Sequence, residues 1–149
     1  MAKFPRLPKA LLKKPPGFKM PRVQAFKDDM GNLGEQIAED FKGTIKENIE
    51  QNAYGFTLAD STIKRKGSDT PLVDSGELLD AIYREGTKVS VEDTPRSDSG
   101  LTNLELAMVH EYGTKDKHIP ARPIWRRTYR DFRPVAREKV VSFFERNKK

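Results

Sequence analysis

The sequence has no cysteine, two histidines and one tryptophan among its 149 residues. The first absence excludes disulfide staples, thiol nucleophiles and cysteine-ligated zinc, iron–sulfur or copper sites. His110 and His118 are eight residues apart. That is not the i, i+4 pair of a helical zinc site, and no third ligand is evident near them. No apolar run approaches the roughly 18 residues that a membrane-crossing helix needs. The first residues lack an apolar core of the kind a secretion signal carries and hold Pro5 and Pro8 instead, so a cleaved signal is not expected and a cytosolic setting fits best. Hydrophobic residues make up 36% of the chain and charged residues 34%, so either the core is thin or part of the chain lies outside it. The length suits one domain.

What is present is charge, unevenly placed. Residues 1–27 hold eight Lys or Arg and no Asp or Glu. Residues 28–121 carry a net charge of −9, and residues 122–149 a net charge of +7. An acidic body between two basic ends suits a polyanion or another copy of the same chain, and the same pattern also arises when the ends serve only solubility. Half of the ten prolines lie within residues 1–22, interleaved with Phe4, Leu7, Leu11, Leu12 and Phe18. Proline lacks an N–H and fixes φ, so this segment predicts an extended basic arm able to dock on another surface, or a disordered tail when the chain is alone.

Past the arm the periodicity changes. Val23, Phe26, Met30, Leu33, Ile37, Phe41, Ile45 and Ile49 recur at steps of 3 or 4, which predicts one face of a long helix ending near Asn52. Gly31, Gly34 and Gly43 weaken that helix by about 1 kcal/mol each relative to Ala, and they permit close approach of another backbone. A short basic helix with Lys64, Arg65 and Lys66 is expected to end at Gly67. Asp74 and Glu77 have the D-x-x-E spacing of a helix start. A hairpin follows, with Ala81–Arg84 and Lys88–Val91 flanking a turn at Glu85-Gly86. Leu104, Ala107, Met108 and Glu111 predict a short helix ended by a left-handed cap at Gly113. Trp125, Tyr129, Phe132, Ala136, Val140 and Phe143 predict a C-terminal helix that Pro134 kinks or divides.

Little of this points to catalysis. Asp74-Ser75-Gly76 lacks the nucleophile-elbow pattern, and no glycine-rich phosphate loop occurs. A nuclease built on His110 and Glu111 is the enzymatic alternative, but His-Glu alone is a weak signal, and His110 is expected to make a local hydrogen bond at the Gly113 turn. Neither a cofactor nor a metal is expected. Arg126, Arg130, Arg133 and Arg137 step by 4, 3 and 4 beside the aromatic stripe, which predicts a positive ridge suited to phosphate or to carboxylates of another subunit. No sequence-specific DNA-reading motif accompanies it.

Three segments, taken together, resemble a known family. Pro71-Leu72-Val73-Asp74-Ser75-Gly76-Glu77-Leu78-Leu79 resembles the P-L-[VI]-D-[TS]-G-x-L segment of small phage morphogenesis proteins, and Thr62–Asp69 precedes it as in those proteins. Ala107-Met108-Val109-His110-Glu111-Tyr112-Gly113-Thr114, followed by Ile119-Pro120-Ala121-Arg122-Pro123, resembles their A-x-x-H-E-[FY]-G-T … I-P-A-R-P-F signature. The family is that of the tail-completion or neck proteins of tailed double-stranded DNA bacteriophages, with the related virion morphogenesis proteins. Two departures are Ile124-Trp125, where the family commonly has Phe-Leu, and the proline-rich arm.

The elements read from periodicity and turn residues amount to an α+β fold in which a long N-terminal helix and a C-terminal helix pack on a small antiparallel sheet. The arm at 1–22 would precede a single domain at 23–149. The resemblance implies a non-enzymatic virion protein, assembled in the host cytoplasm, that forms a ring (a hexamer by family resemblance) around the DNA channel at the head–tail junction. Its neighbours would be head-closure or connector proteins and tail-terminator or tail-tube proteins, with genomic DNA in the channel as a further contact and no membrane. The expected subunit or DNA contacts are Lys13, Lys14, Lys19, Arg22, Arg122, Arg126, Arg130, Arg133 and Arg137. The expected structural motif is Asp74, Gly76, Gly113, Pro120, Pro123 and Trp125. The alternative is a nonspecific nucleic-acid-binding protein that uses its basic termini.

Overall fold

A computed structural model describes residues 21–67, 70–73, 75–97, 100–116 and 118–147. The expected arm, with Lys13, Lys14 and Lys19, lies outside the described residues except at its last two positions, and Asp74 lies outside them too. The chain divides into two units after Gly31.

Helix α1 spans Pro21–Glu50. Pro21 and Arg22, expected in the arm, are already helical; a proline is tolerated in the first turn because the first four amides of a helix have no partner within it. Of the first unit, residues 21–31 are described. Gln24 Nε2 donates to Asp28 Oδ1 at 2.9 Å, and Val23 and Met30, expected on the buried stripe, are exposed.

In the second unit the stripe sinks steadily: Leu33, Ile37 and Phe41 are half-buried, and Ile45 and Ile49 are buried. Apolar spacing specifies which side of a helix is oily, but burial needs an opposing element. Ile45 and Ile49 have one, in a core formed with Leu78, Ala81, Ile82, Val91, Ala107 and Ile124. Of the three glycines in α1, only Gly34 is crowded. A Cβ there would lie 3.0 Å from the Thr87 Cγ2 methyl, a side chain at a hairpin turn rather than a second backbone.

After α1 the chain turns at Asn52, whose side chain accepts from the Phe56 amide at 2.9 Å and donates to the Phe56 carbonyl at 2.8 Å. Helix α2 (Asp60–Lys66) ends at Gly67 as expected. The four-residue helix α3 (Glu77–Asp80) starts differently from the D-x-x-E reading. Its N-cap is Gly76, at φ +87°, with no side-chain cap. The Glu77 carboxylate accepts from the Ser97 amide at 3.3 Å and from the Ser97 hydroxyl.

Strands β1 (Ile82–Glu85) and β2 (Lys88–Val91) pair antiparallel from Ile82 opposite Val91 to Glu85 opposite Lys88. The hairpin is present with β1 one residue later than expected, so the turn is Gly86-Thr87, with φ +56° at Gly86. Ile82 and Val91, directly opposite each other, both point into the core. Arg84 ties the hairpin to α1 through Glu39 at 3.0 Å and Glu35 at 3.3 Å.

Helix α4 (Asn103–Tyr112) opens on a capping box: Thr102 accepts from the Glu105 amide, and Glu105 accepts from the Thr102 amide. Helix α5 (Ile124–Arg146) runs through Pro134 undivided, contrary to a break there. Pro134 and Arg130, whose carbonyl loses its amide donor, are both exposed residues. Helices α1 and α5 pack in opposite chain directions. Asn48 meets Thr128, Phe41 meets Tyr129 edge-on and Phe132 at a tilt, and Asp40 pairs with Lys139. The fold class is α+β, two long helices and a small antiparallel sheet.

Candidate functional site at the junction of α4 and α5

The longest family-like motif, Ala107–Pro123, occupies the end of α4 and the connection to α5. Glu111, in the last turn of α4, is buried. Its carboxylate accepts from the backbone amides of Trp125 at 3.0 Å and Arg126 at 3.2 Å. It therefore caps the first turn of α5 from the end of another helix, placing negative charge where the helix dipole favours it. Arg126 closes the arrangement, with Nε donating to the Glu111 carboxylate at 2.7 Å and Nη2 to the Glu111 carbonyl at 3.1 Å. The same guanidinium lies 5.1 Å from the centre of the Tyr112 ring.

Gly113 permits this geometry. Its φ is +73° and its ψ −179°, an extended mirror-image conformation rather than the left-handed helical cap expected. A Cβ there would lie 2.8 Å from the Ile119 carbonyl oxygen and 2.9 Å from the Ala121 nitrogen. Glycine is required twice over, by torsion and by space.

Beyond it the chain bonds to itself. The Thr114 amide donates to the Ile119 carbonyl, and the Ile119 amide donates to Thr114 Oγ1, each at 3.0 Å. A hydrogen bond from the Thr114 side chain, with a second from the His118 amide, holds the Asp116 carboxyl below its ordinary pKa. The Arg122 amide donates to the His110 carbonyl at 2.6 Å, which brings a histidine to the turn through its backbone. Pro123 then stands at the N-cap of α5 with no side-chain cap of its own. Pro120 is exposed, and Trp125 is half-buried against the core.

The expected arginine ridge is not uniform. Arg122 is no part of it: the residue is buried, and its guanidinium donates to the Thr57 carbonyl at 3.2 Å. Arg126 belongs to Glu111. Arg130 pairs with its neighbour Asp131 at 2.8 Å, and that ion pair lowers the Asp131 carboxyl. Arg133 and Arg137 are exposed and make no ion pair among the described residues, and Arg22 is exposed on α1. The opposite charges read from the sequence thus meet partly within one chain, at Glu111–Arg126 and Asp40–Lys139.

Several contacts were not legible in advance. Arg127 lies 5.5 Å from the Tyr54 ring centre and 5.3 Å from that of Phe56. Thr128, fully buried, accepts from Asn48 Nδ2 at 2.9 Å and is 3.4 Å from the Tyr54 hydroxyl, a polar pin between α1 and α5. Burial raises the pKa of the Tyr54 hydroxyl. Only the Thr102-x-x-Glu105 capping box carried a readable local signal. Among the described residues no group of three His, Asp or Glu side chains could hold a metal ion, and no helix is long and apolar enough to cross a membrane. No family model, curated protein or solved structure matches this chain.

Proposed function

We propose that the chain is a non-enzymatic structural subunit of a phage neck, joining head to tail as part of a ring around the DNA channel. The observation that carries this reading is the use made of the motif residues at the α4–α5 junction. Glu111, Gly113, Thr114 and the Arg122 amide all hold backbone in place. A connection fixed in this way loses little entropy on docking, which favours repeated identical contacts between subunits. Such head-to-tail contacts close into a ring when the rotation permits. Electron microscopy of purified particles, labelled on this chain, tests the reading: a collar between capsid and tail is expected, and intact virions without the polypeptide would reject it. The mass of the free protein in solution gives its own state of assembly.

The second reading, nonspecific binding to nucleic acid, is favoured by one observation, Arg133 and Arg137, exposed and without an ion pair among the described residues. It requires log affinity to fall with log salt at a slope of about −0.9 per phosphate contact. A chain that assembles but shows no salt-dependent DNA binding would reject it.

A further inference from the structure

A cavity of about 570 Å³ opens in the second unit, walled by the loop before α2, α2 itself, the residues around α3, α4 and the 118–122 connection. Its size falls within the range of ligand sites. Leu72, Leu101 and Ile119 contribute apolar wall, while Arg65, Arg96 and Arg122 contribute charge. No carboxylate is among the described residues that line it.

The three arginines differ in how their charge is met. Arg96 has a nearly inaccessible side chain, but Glu77 lies 3.9 Å away and Asn103 accepts a hydrogen bond at 3.1 Å. Arg65 is exposed at the rim. Arg122 is 8% exposed, and among the described residues its guanidinium makes one hydrogen bond, to the Thr57 carbonyl, and meets no carboxylate. Burial lowers its pKa, yet a guanidinium does not lose its proton in a protein. A buried cation is normally paired, because the interior solvates it poorly. Four of its five N–H donors have no acceptor among the described residues and are open to something that enters the cavity.

We propose that this cavity binds a carboxylate carried on an apolar peptide segment of a partner chain, with Arg122 anchoring the acid and Arg65 steering it at the rim. The guanidinium fork matches a carboxylate in two parallel hydrogen bonds, and the leucine and isoleucine wall suits the apolar flanks of such a segment better than it suits a bare phosphate. The inference needs only the cavity and Arg122, and stands apart from the reading of the whole chain as a neck subunit.

The test uses the full-length protein with its arginine side chains labelled for NMR. The probes are the blocked peptide acetyl-Leu-Asp-Leu-amide, its Asn counterpart, and sodium phosphate. The Asp peptide is expected to shift the Arg122 Nε–H signal saturably and to bind at least about tenfold more tightly than the Asn peptide, the loss expected for one charge-assisted hydrogen-bonded pair. Arg65→Ala, at an exposed position that the fold does not use, should weaken binding about two- to fivefold with an unchanged melting temperature. Arg122→Lys should reduce it at least about tenfold. If Arg122→Lys fails to fold, the Arg65 variant and the Asp-against-Asn comparison carry the test. Equal binding of phosphate and the Asp peptide would overturn the peptide assignment, and no saturable shift with the peptide in the folded protein would overturn the site.

Discussion

In the first two turns of α5, Arg126 is tied to the buried Glu111 and Arg130 to Asp131; further along the same helix, Arg133 and Arg137 project without an ion pair among the described residues. Spacing places all four on one side of a helix, and only the Asp131 beside Arg130 sets any of them apart in the sequence. For Arg126 the difference comes from what lies opposite. The start of α5 faces the end of α4, where a carboxylate waits; the later arginines face solvent. One end of the helix is therefore a fixed joint, and the other offers charge to whatever approaches.

The sharpest way to break this contrast is Gly113→Ala. The substitution meets both a disfavoured torsion and a backbone oxygen at 2.8 Å, and should destabilise by about 4 kcal/mol. A thermal or urea melt measures it, and a loss below about 1 kcal/mol would mean that the connection yields instead of holding α5. Glu111→Ala comes next. It removes the cap of α5 and strands two amides and a guanidinium, for about 2–3 kcal/mol, read as a lower urea midpoint at an unchanged slope.

Smaller still is the acid dependence of the exposed ion pairs. Glu39 is held below its ordinary 4.5 by Lys42 and then Arg84, and Asp131 below its ordinary 3.8 by Arg130. Because the folded-state values are depressed, their contribution is complete above the unfolded values and disappears as the pH falls through the folded ones. Melting temperature should be flat across neutral pH and drop in the acid range below those ordinary values. The double variant Glu39→Gln, Asp131→Asn should shrink that drop. Smallest is Arg133→Glu with Arg137→Glu, expected to leave stability within about 0.5 kcal/mol. The same double variant sharpens the functional contrast: on the nucleic-acid reading it flattens the salt slope by about two contacts, and on the assembly reading it does not.

The elements that rest on local chemistry were legible. The 3–4 spacing through Ile45 and Ile49, the glycine in the hairpin turn and the glycine after Lys66 each act within a few residues, and each element stands where expected to within a residue or two. The misses share a different origin. Val23 and Met30 continue the apolar spacing but are exposed, because periodicity marks an apolar side of a helix and does not by itself bury it. The helix start read from Asp74 and Glu77 falls at Gly76, and the Glu77 carboxylate is engaged by Ser97, twenty residues on. Pro134 lacks an amide, yet of the kink or break it predicts the break is absent, and α5 passes through it at an exposed position.

Glu111 is the clearest case for the candidate site. It ends one helix and serves the start of the next, fourteen residues away, so no i, i+3 pattern announces it. Arg122 and Arg126, four residues apart and of one residue type, likewise received opposite environments, a cavity with no carboxylate among its described lining residues and a buried partner.

By itself the sequence determined where helices, turn and hairpin form, since backbone torsions and apolar spacing are short-range properties. It also determined that charge is divided along the chain. Only the tertiary structure decided which of those charges neutralise each other at home and which remain to act outward, because that depends on a few ångströms between residues far apart in the chain, and desolvation makes each such distance count.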